Sequence, residues 1–260
     1  MNHEVKIMGI LNVTPDSFSD GGRFLALNEA IEHAFAMISH GADIIDIGGE
    51  SSGPGSPDVS LYEESKRVLP LVEAILERDP NIFISLDTYK SALAKRAVLL
   101  GVKMINDVTA LRGDRDMAGF IAESGVKIVV MYAKDDKPRT TVMEKEYDDV
   151  IATIREFFLE RLAYLKSQGV LDDQIILDPG LGHFVSSLPK YSFEIIDRLS
   201  ELKDLGYPIL LGPSRKSFLG GALSGRDEAS IEIALKAAQN GADILRMHNV
   251  SGLKTALANL

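Results

Sequence analysis

Cysteine is absent from the 260-residue sequence. Its absence excludes disulfides, thiolate metal sites and a cysteine nucleophile, and it suits a reducing cytoplasm. Long apolar runs are absent too: none reaches membrane-spanning length, and Met1-Asn2-His3-Glu4 has none of the features of a signal peptide. Basic residues are outnumbered, 28 against 38 acidic, for a net charge of -10. An acidic surface argues against nucleic acid or anionic lipid as a partner, while leaving room for a local basic pocket around a small anionic substrate. Neither a domain linker nor a low-complexity stretch interrupts the chain. What remains is ordinary globular material, 45% hydrophobic and 25% charged, enough for one large α/β domain or two small ones.

Apolar runs of strand length alternate with longer segments of helical period. Strands are expected near 6–13, 42–49, 82–88, 104–108, 127–132, 174–180, 208–214 and 242–249. Helices are expected near 28–40, 60–78, 90–100, 114–124, 147–168, 189–204, 227–240 and 251–258. Eight strand–helix units in this length predict a (β/α)8 barrel spanning 1–260, with a doubly wound open sheet as the alternative. The joints agree. His40-Gly41-Ala42-Asp43, Leu100-Gly101-Val102-Lys103, Ser124-Gly125-Val126-Lys127 and Asn240-Gly241-Ala242-Asp243 each end a helix on a glycine suited to the left-handed closing position. Two long irregular segments, 51–59 and 133–146, read as excursions on the face where the loops following the strands gather.

The first strand and its exit organise the site. Lys6-Ile7-Met8-Gly9-Ile10-Leu11 runs into Asn12, and then into a polar loop of turn-forming residues, 14–22, that nevertheless contains Phe18. The other strands also end in polar residues: Asp46 and Glu50; Asp87; Asn106 and Asp107; Asp178; Ser214, Arg215 and Lys216; Arg246 and His248. Any one of these would pass as a helix cap; nearly every strand ending so is better explained by convergence on one mouth. Asp87, Asn106 and Asp178 suit a heterocycle carrying an amino group beside a ring N–H, since a carboxylate accepts both hydrogens at once. Lys216 suits a ring carbonyl or ring nitrogen. Arg246 and His248, two residues apart on one strand, share a face, and with Gly212-Pro213-Ser214-Arg215-Lys216 they occupy the phosphate-binding end of such a barrel. Asn12 offers an oxygen to a Mg2+ ion carried by phosphate. A flat polar heterocycle on one side and a phosphate or pyrophosphate on the other is the reading the residues support.

Met8-Gly9-Ile10-Leu11-Asn12-Val13-Thr14-Pro15-Asp16-Ser17-Phe18-Ser19-Asp20-Gly21-Gly22 resembles the opening signature of dihydropteroate synthase. Asp46-Ile47-Gly48-Gly49-Glu50-Ser51, Asp87-Thr88-Tyr89-Lys90, Ile105-Asn106-Asp107-Val108, Asp178-Pro179-Gly180, Ser214-Arg215-Lys216 and Arg246-Met247-His248 resemble its later motifs, in order, over essentially the whole chain. The resemblance implies a pterin-binding TIM barrel. It also implies a transferase of folate synthesis that joins p-aminobenzoate to 6-hydroxymethyl-7,8-dihydropterin pyrophosphate, with pyrophosphate leaving first. By that resemblance Asp87, Asn106, Asp178 and Lys216 hold the pterin. Asn12 with Mg2+, Arg246 and His248 hold the pyrophosphate, and Ser214 and Arg215 lie near the aminobenzoate. Asp87, Lys216, Arg246 and His248 are the residues expected to carry catalysis. A homodimer is implied as well, with the last helix, Leu253 to Leu260, as a candidate interface.

The sequence departs from that family in four places. Gly53 stands where the family's Thr-Arg-Pro-Gly loop has arginine, Val185 where a lysine follows Asp-Pro-Gly, Tyr132 where a histidine ends the fifth strand, and Asn249 where an aspartate ends the last motif. Lys134, Arg112 and Arg23 are the candidate replacements for the lost cations. Two other readings share the pterin pocket: a paralogue that binds pterin with altered or no synthase activity, and a methyltetrahydrofolate:corrinoid methyltransferase. The pyrophosphate motifs and the long first loop favour the synthase over the methyltransferase; the lost arginine and lysine favour the paralogue, and the retained pyrophosphate residues oppose it.

Overall fold

The computed structural model describes residues 4–13, 23–222 and 225–260. The first loop, 14–22, and the Arg23 side chain, both singled out from the sequence, lie outside the described residues. Eight parallel strands alternate with eight α-helices: β1 Lys6–Asn12, α1 Arg23–Ser39, β2 Ile44–Gly48, α2 Leu61–Arg78, β3 Ile84–Asp87, α3 Ser91–Leu100, β4 Met104–Asp107, α4 Met117–Ser124, β5 Lys127–Met131, α5 Val150–Ser167, β6 Ile175–Asp178, α6 Pro189–Asp197, β7 Leu210–Leu211, α7 Arg226–Gln239, β8 Ile244–Met247 and α8 Val250–Leu257. The sheet runs β6-β5-β4-β3-β2-β1-β8-β7. A parallel bridge between Leu177 and Ile209 joins its two edges, so the sheet closes into the expected (β/α)8 barrel. No described helix is long and apolar enough to cross a membrane.

Alternation along the strands builds the site. Side chains two apart on a strand share a face. Met8, Ile44, Met104, Val129, Ile176, Leu210 and Ile244 form one apolar layer inside the barrel. Two residues on, the same inward positions are Asp46, Asn106, Asp178 and Arg246. On β2, β4, β6 and β8 the lumen therefore changes from apolar floor to polar mouth within one step of the strand. The opposite face packs against the helices in a larger core that includes Ile7, Leu11, Ile47, Leu86, Ile105, Val130 and Leu245.

The glycine joints take the expected conformation, with φ of 99° at Gly41, 116° at Gly101, 70° at Gly125 and 102° at Gly241. Gly101 and Gly125 close α3 and α4. Elsewhere the elements are shorter than their sequence patterns. The helix expected over 189–204 ends at Asp197 and continues as a 3-10 turn over Leu199–Leu205. At the break Arg198 binds Asp149, Glu194 and Glu201, and the change of pitch buries Leu199 and Leu202 as well as Ile195 and Ile196. The last helix turns its apolar side inward: Val250 and Leu253 are buried and Leu257 packs on the core. Those residues serve the protein's own core, while Leu260, just past the helix, stays exposed.

Candidate active site

The charged mouth is held by one buried carboxylate. Asp46, with 0% exposure, accepts at Oδ2 from Arg246 Nε at 2.6 Å and from Asn106 Nδ2 at 3.1 Å. Arg246 also donates through Nη2 to Asp87 Oδ2 at 2.9 Å. Asn106, Asp46, Arg246 and Asp87 thus form one chain of contacts across β4, β2, β8 and β3. The guanidinium lies among the acids of the lumen. In the sequence it is grouped with the phosphate-binding residues; without ligand its charge neutralises the Asp46 and Asp87 carboxylates. Asp46 ended a strand in the sequence but drew no role, because only the closed barrel reveals its partners, 200 and 60 residues away.

Burial pushes the Asp87 carboxyl up to about 7, with Asp46, Glu64 and Asp107 adding to the shift and Arg246 opposing it. Asp178 is raised for the same reason, against the pull of Lys216. Its Oδ1 accepts from the Gly180 amide at 2.8 Å. Burial lowers the Lys216 ammonium to about 8, against the attraction of Asp178. Lys216 Nζ donates to the Leu181 carbonyl at 3.0 Å and lies 4.9 Å from the centre of the Phe184 ring. Asp107 is different. It accepts from the Thr109 amide and hydroxyl and from the Leu111 amide, capping a turn in which Ala110 and Leu111 have positive φ. For this residue the capping explanation wins.

His248 and Ser214 meet at the ends of β8 and β7. Ser214 Oγ accepts from the His248 backbone N–H at 3.1 Å and lies 2.8 Å from His248 Nδ1. Burial, then Arg215 and Arg246, lower the imidazole to about 4. At neutral pH the His248 imidazole is therefore uncharged. Arg215 parts from Lys216: its guanidinium binds Asp227 of α7 through Nε at 2.6 Å and Nη2 at 2.9 Å. The two adjacent cations therefore reach different partners. The reason is local: Arg215 has φ 56°, and this left-handed turn separates the two side chains. Asn12 ends β1, exposed, with its Oδ1 beside Gly48.

Two of the proposed replacement cations are committed elsewhere. Lys134, 3% exposed, donates to Asp135, Thr140 and the Thr141 and His183 carbonyls. Arg112 binds the Thr109 carbonyl and Asp136. Both stabilise loops and neither is free for substrate. Glu50, at the end of β2, instead binds Lys90 and Arg139.

With this geometry in view, comparison with known proteins gives a consistent result. The sequence pattern of the family described as pterin binding enzyme matches residues 8–248. The chain is 40% identical over 248 residues to the dihydropteroate synthase of Escherichia coli strain K12, covering 94% of this chain and 86% of that protein. It is 41% identical over 248 residues to that of Bacillus subtilis strain 168, covering 94% and 83%. A solved dihydropteroate synthase from Clostridium difficile, in the presence of pteroic acid, superposes with a TM-score of 0.89 at 42% identity, covering 99% of this chain and 96% of that one. One from Xanthomonas albilineans, in complex with 7,8-dihydropteroate, gives 0.86 at 34% identity, covering 100% and 93%. The chain belongs to the dihydropteroate synthase family of pterin-binding enzymes.

Proposed function

We propose that this chain condenses p-aminobenzoate with 6-hydroxymethyl-7,8-dihydropterin pyrophosphate, releasing pyrophosphate and forming dihydropteroate. The observation that carries the proposal is the buried network of Asn106, Asp46, Arg246 and Asp87, with Asp178 and Lys216 beside it. In this reading the whole chain, 1–260, is one pterin-binding unit, acting in the cytoplasm as a homodimer. Asp87, Asn106 and Asp178 accept the amino and ring N–H hydrogens of the pterin, and Lys216 donates to its carbonyl or ring nitrogen. Arg246 shifts part of its charge to the leaving group when the pterin takes its place on Asp87. Asn12 and the imidazole of His248 complete the diphosphate site. Ser214 serves it by fixing the imidazole, and Arg215, tied to Asp227, stays at its rim.

Among the described residues no group of three or more metal-ligating side chains is present. A single amide oxygen at Asn12 suits a Mg2+ ion held mainly by the diphosphate and water. When bound, Mg2+ neutralises charge on the leaving group. As the carbon–oxygen bond to diphosphate breaks, positive charge spreads from the methylene into the pterin, and the Asp87 and Asp178 carboxylates stabilise it. The arylamine nitrogen then bonds to the methylene carbon and loses its proton to solvent. No strong general base is needed.

The test is pyrophosphate release with Mg2+, with and without p-aminobenzoate, with dihydropteroate followed as product. Product formed only when both substrates are present is the expected result. Pterin binding without product would instead identify a pterin-binding protein whose second-substrate half is lost, and methyl transfer to a corrinoid protein would identify the other enzyme class.

A further inference from the structure

The loop after β2 lacks the arginine that its family places at position 53, yet a guanidinium occupies that part of the mouth. Arg139, on the excursion between β5 and α5, reaches back across the barrel rim to the β2 loop. It binds the Glu50 carboxylate, the Pro57 carbonyl at 2.6 Å and Asp58. Its side chain is 17% exposed, and its Nε is buried without a hydrogen-bond partner among the described residues. The adjacent Thr140 amide donates to the Ser52 carbonyl at 3.2 Å, so two successive residues fasten the loop. Arg139 also lines the same hollow as Glu50, Ser51, Ser52, Asp87 and Thr88, next to the pterin-side carboxylate.

The charges explain what it does there. Among the described residues, the cations paired with Glu50, Glu64 and Asp58 in this cluster are Lys90 and Arg139. Without Arg139 the Asp58 carboxylate loses its cation, Glu50 is left to share Lys90 with Glu64 beside the path of an anionic substrate, and loop 51–58 loses one of its two tethers. We propose that Arg139 is the positioning residue that replaces, from another loop, the arginine missing at Gly53: it neutralises Glu50 and holds loop 51–58 against the diphosphate end of the site. The inference rests on the synthase reading. The replacement has a reciprocal form, because Gly53 has room for a side chain. A Cβ there meets only Ser51 Oγ, at 3.3 Å, and the backbone is outside the left-handed region.

The experiment compares Arg139→Ala, Arg139→Lys and the double variant Arg139→Ala/Gly53→Arg. Arg139→Ala is expected to raise KM for the dihydropterin pyrophosphate tenfold or more, with a smaller change in kcat and an unchanged melting temperature. The KM increase should shrink as salt rises, because added ions screen the exposed Asp58 carboxylate. Lysine should restore part of the loss and Gly53→Arg most of it. Unchanged KM in Arg139→Ala would overturn the proposal, as would a fall in kcat and melting temperature that neither restoring substitution corrects. Calorimetry keeps this separate from the synthase reading. Even if the wild-type protein made no dihydropteroate, Arg139→Ala should weaken binding of the pyrophosphorylated pterin and leave binding of the hydroxymethyl pterin unchanged. Equal weakening of both would also overturn it.

Discussion

A carboxyl raised to about 7 in the middle of a binding site makes Asp87 a pH-dependent acceptor. Its folded value lies above the usual aspartate value of about 4. The ligand-free protein therefore holds a proton that the unfolded chain has released, and stability is lost as pH rises from about 4 to about 7. Pterin hydrogens favour the ionised form, so pterin affinity should rise through the same interval and level off above it. Calorimetric titration with a pterin between pH 5.5 and 8 would check this; a flat wild-type profile would contradict it. Asp87→Asn should remove the pH dependence. It should also weaken binding by roughly tenfold to a hundredfold, the scale of a hydrogen bond to a charged group.

The elements succeed or fail on backbone geometry at the rim. After β6 the chain must turn sharply to bring Leu181 to Lys216, and Gly180 makes the turn at φ 69°. A Cβ there would lie 2.5 Å from the Tyr132 carbonyl oxygen, so the obstacle is backbone and has little room to yield. Gly180→Ala should therefore destabilise the protein by about 1–3 kcal/mol or more, read as a lower urea midpoint. It should weaken pterin binding as well, because the Gly180 amide orients Asp178. The excursion between β5 and α5 works at the same scale. Lys134, Thr140 and Tyr147 of this segment bind the 183–185 turn, while Thr140 and Arg139 bind the β2 loop. The two loops altered relative to the family are thus braced by one segment.

At the scale of the molecule, an acidic protein with a charge of -10 handles two anionic substrates, which makes counter-charge at the mouth decisive. Chelating Mg2+ should abolish turnover and adding it back should restore it. Pterin binding itself should survive chelation, since Asp87, Asn106 and Asp178 need no metal; loss of pterin binding on chelation would contradict the assignment of the ion to the diphosphate. Sedimentation should give twice the chain mass of 28.3 kDa. Because α8 faces its own core, Leu257→Ala should reduce stability without dissociating the assembly, and a monomer produced by that change would identify the last helix as the interface.

Much of this was legible in the chain itself. Eight strand–helix units determined the barrel, and the polar residues at the strand ends, such as Asp46, Asn106, Asp178 and Arg246, determined the ring of groups at its mouth. The left-handed glycines fixed where helices stop. Partnership was not legible, because it joins residues far apart in the chain and depends on rotamers that only packing selects. The closed barrel decided that Arg246 serves Asp46 and Asp87 in the ligand-free state, that Ser214 holds the His248 imidazole, and that Arg215 turns away from Lys216. It also decided which cation meets the β2 loop. Lys134, Arg112 and Arg139 are equally basic in the sequence. A buried ammonium is stable only where acceptors surround it, which commits Lys134 to its own loop and leaves Arg139 to cross the rim.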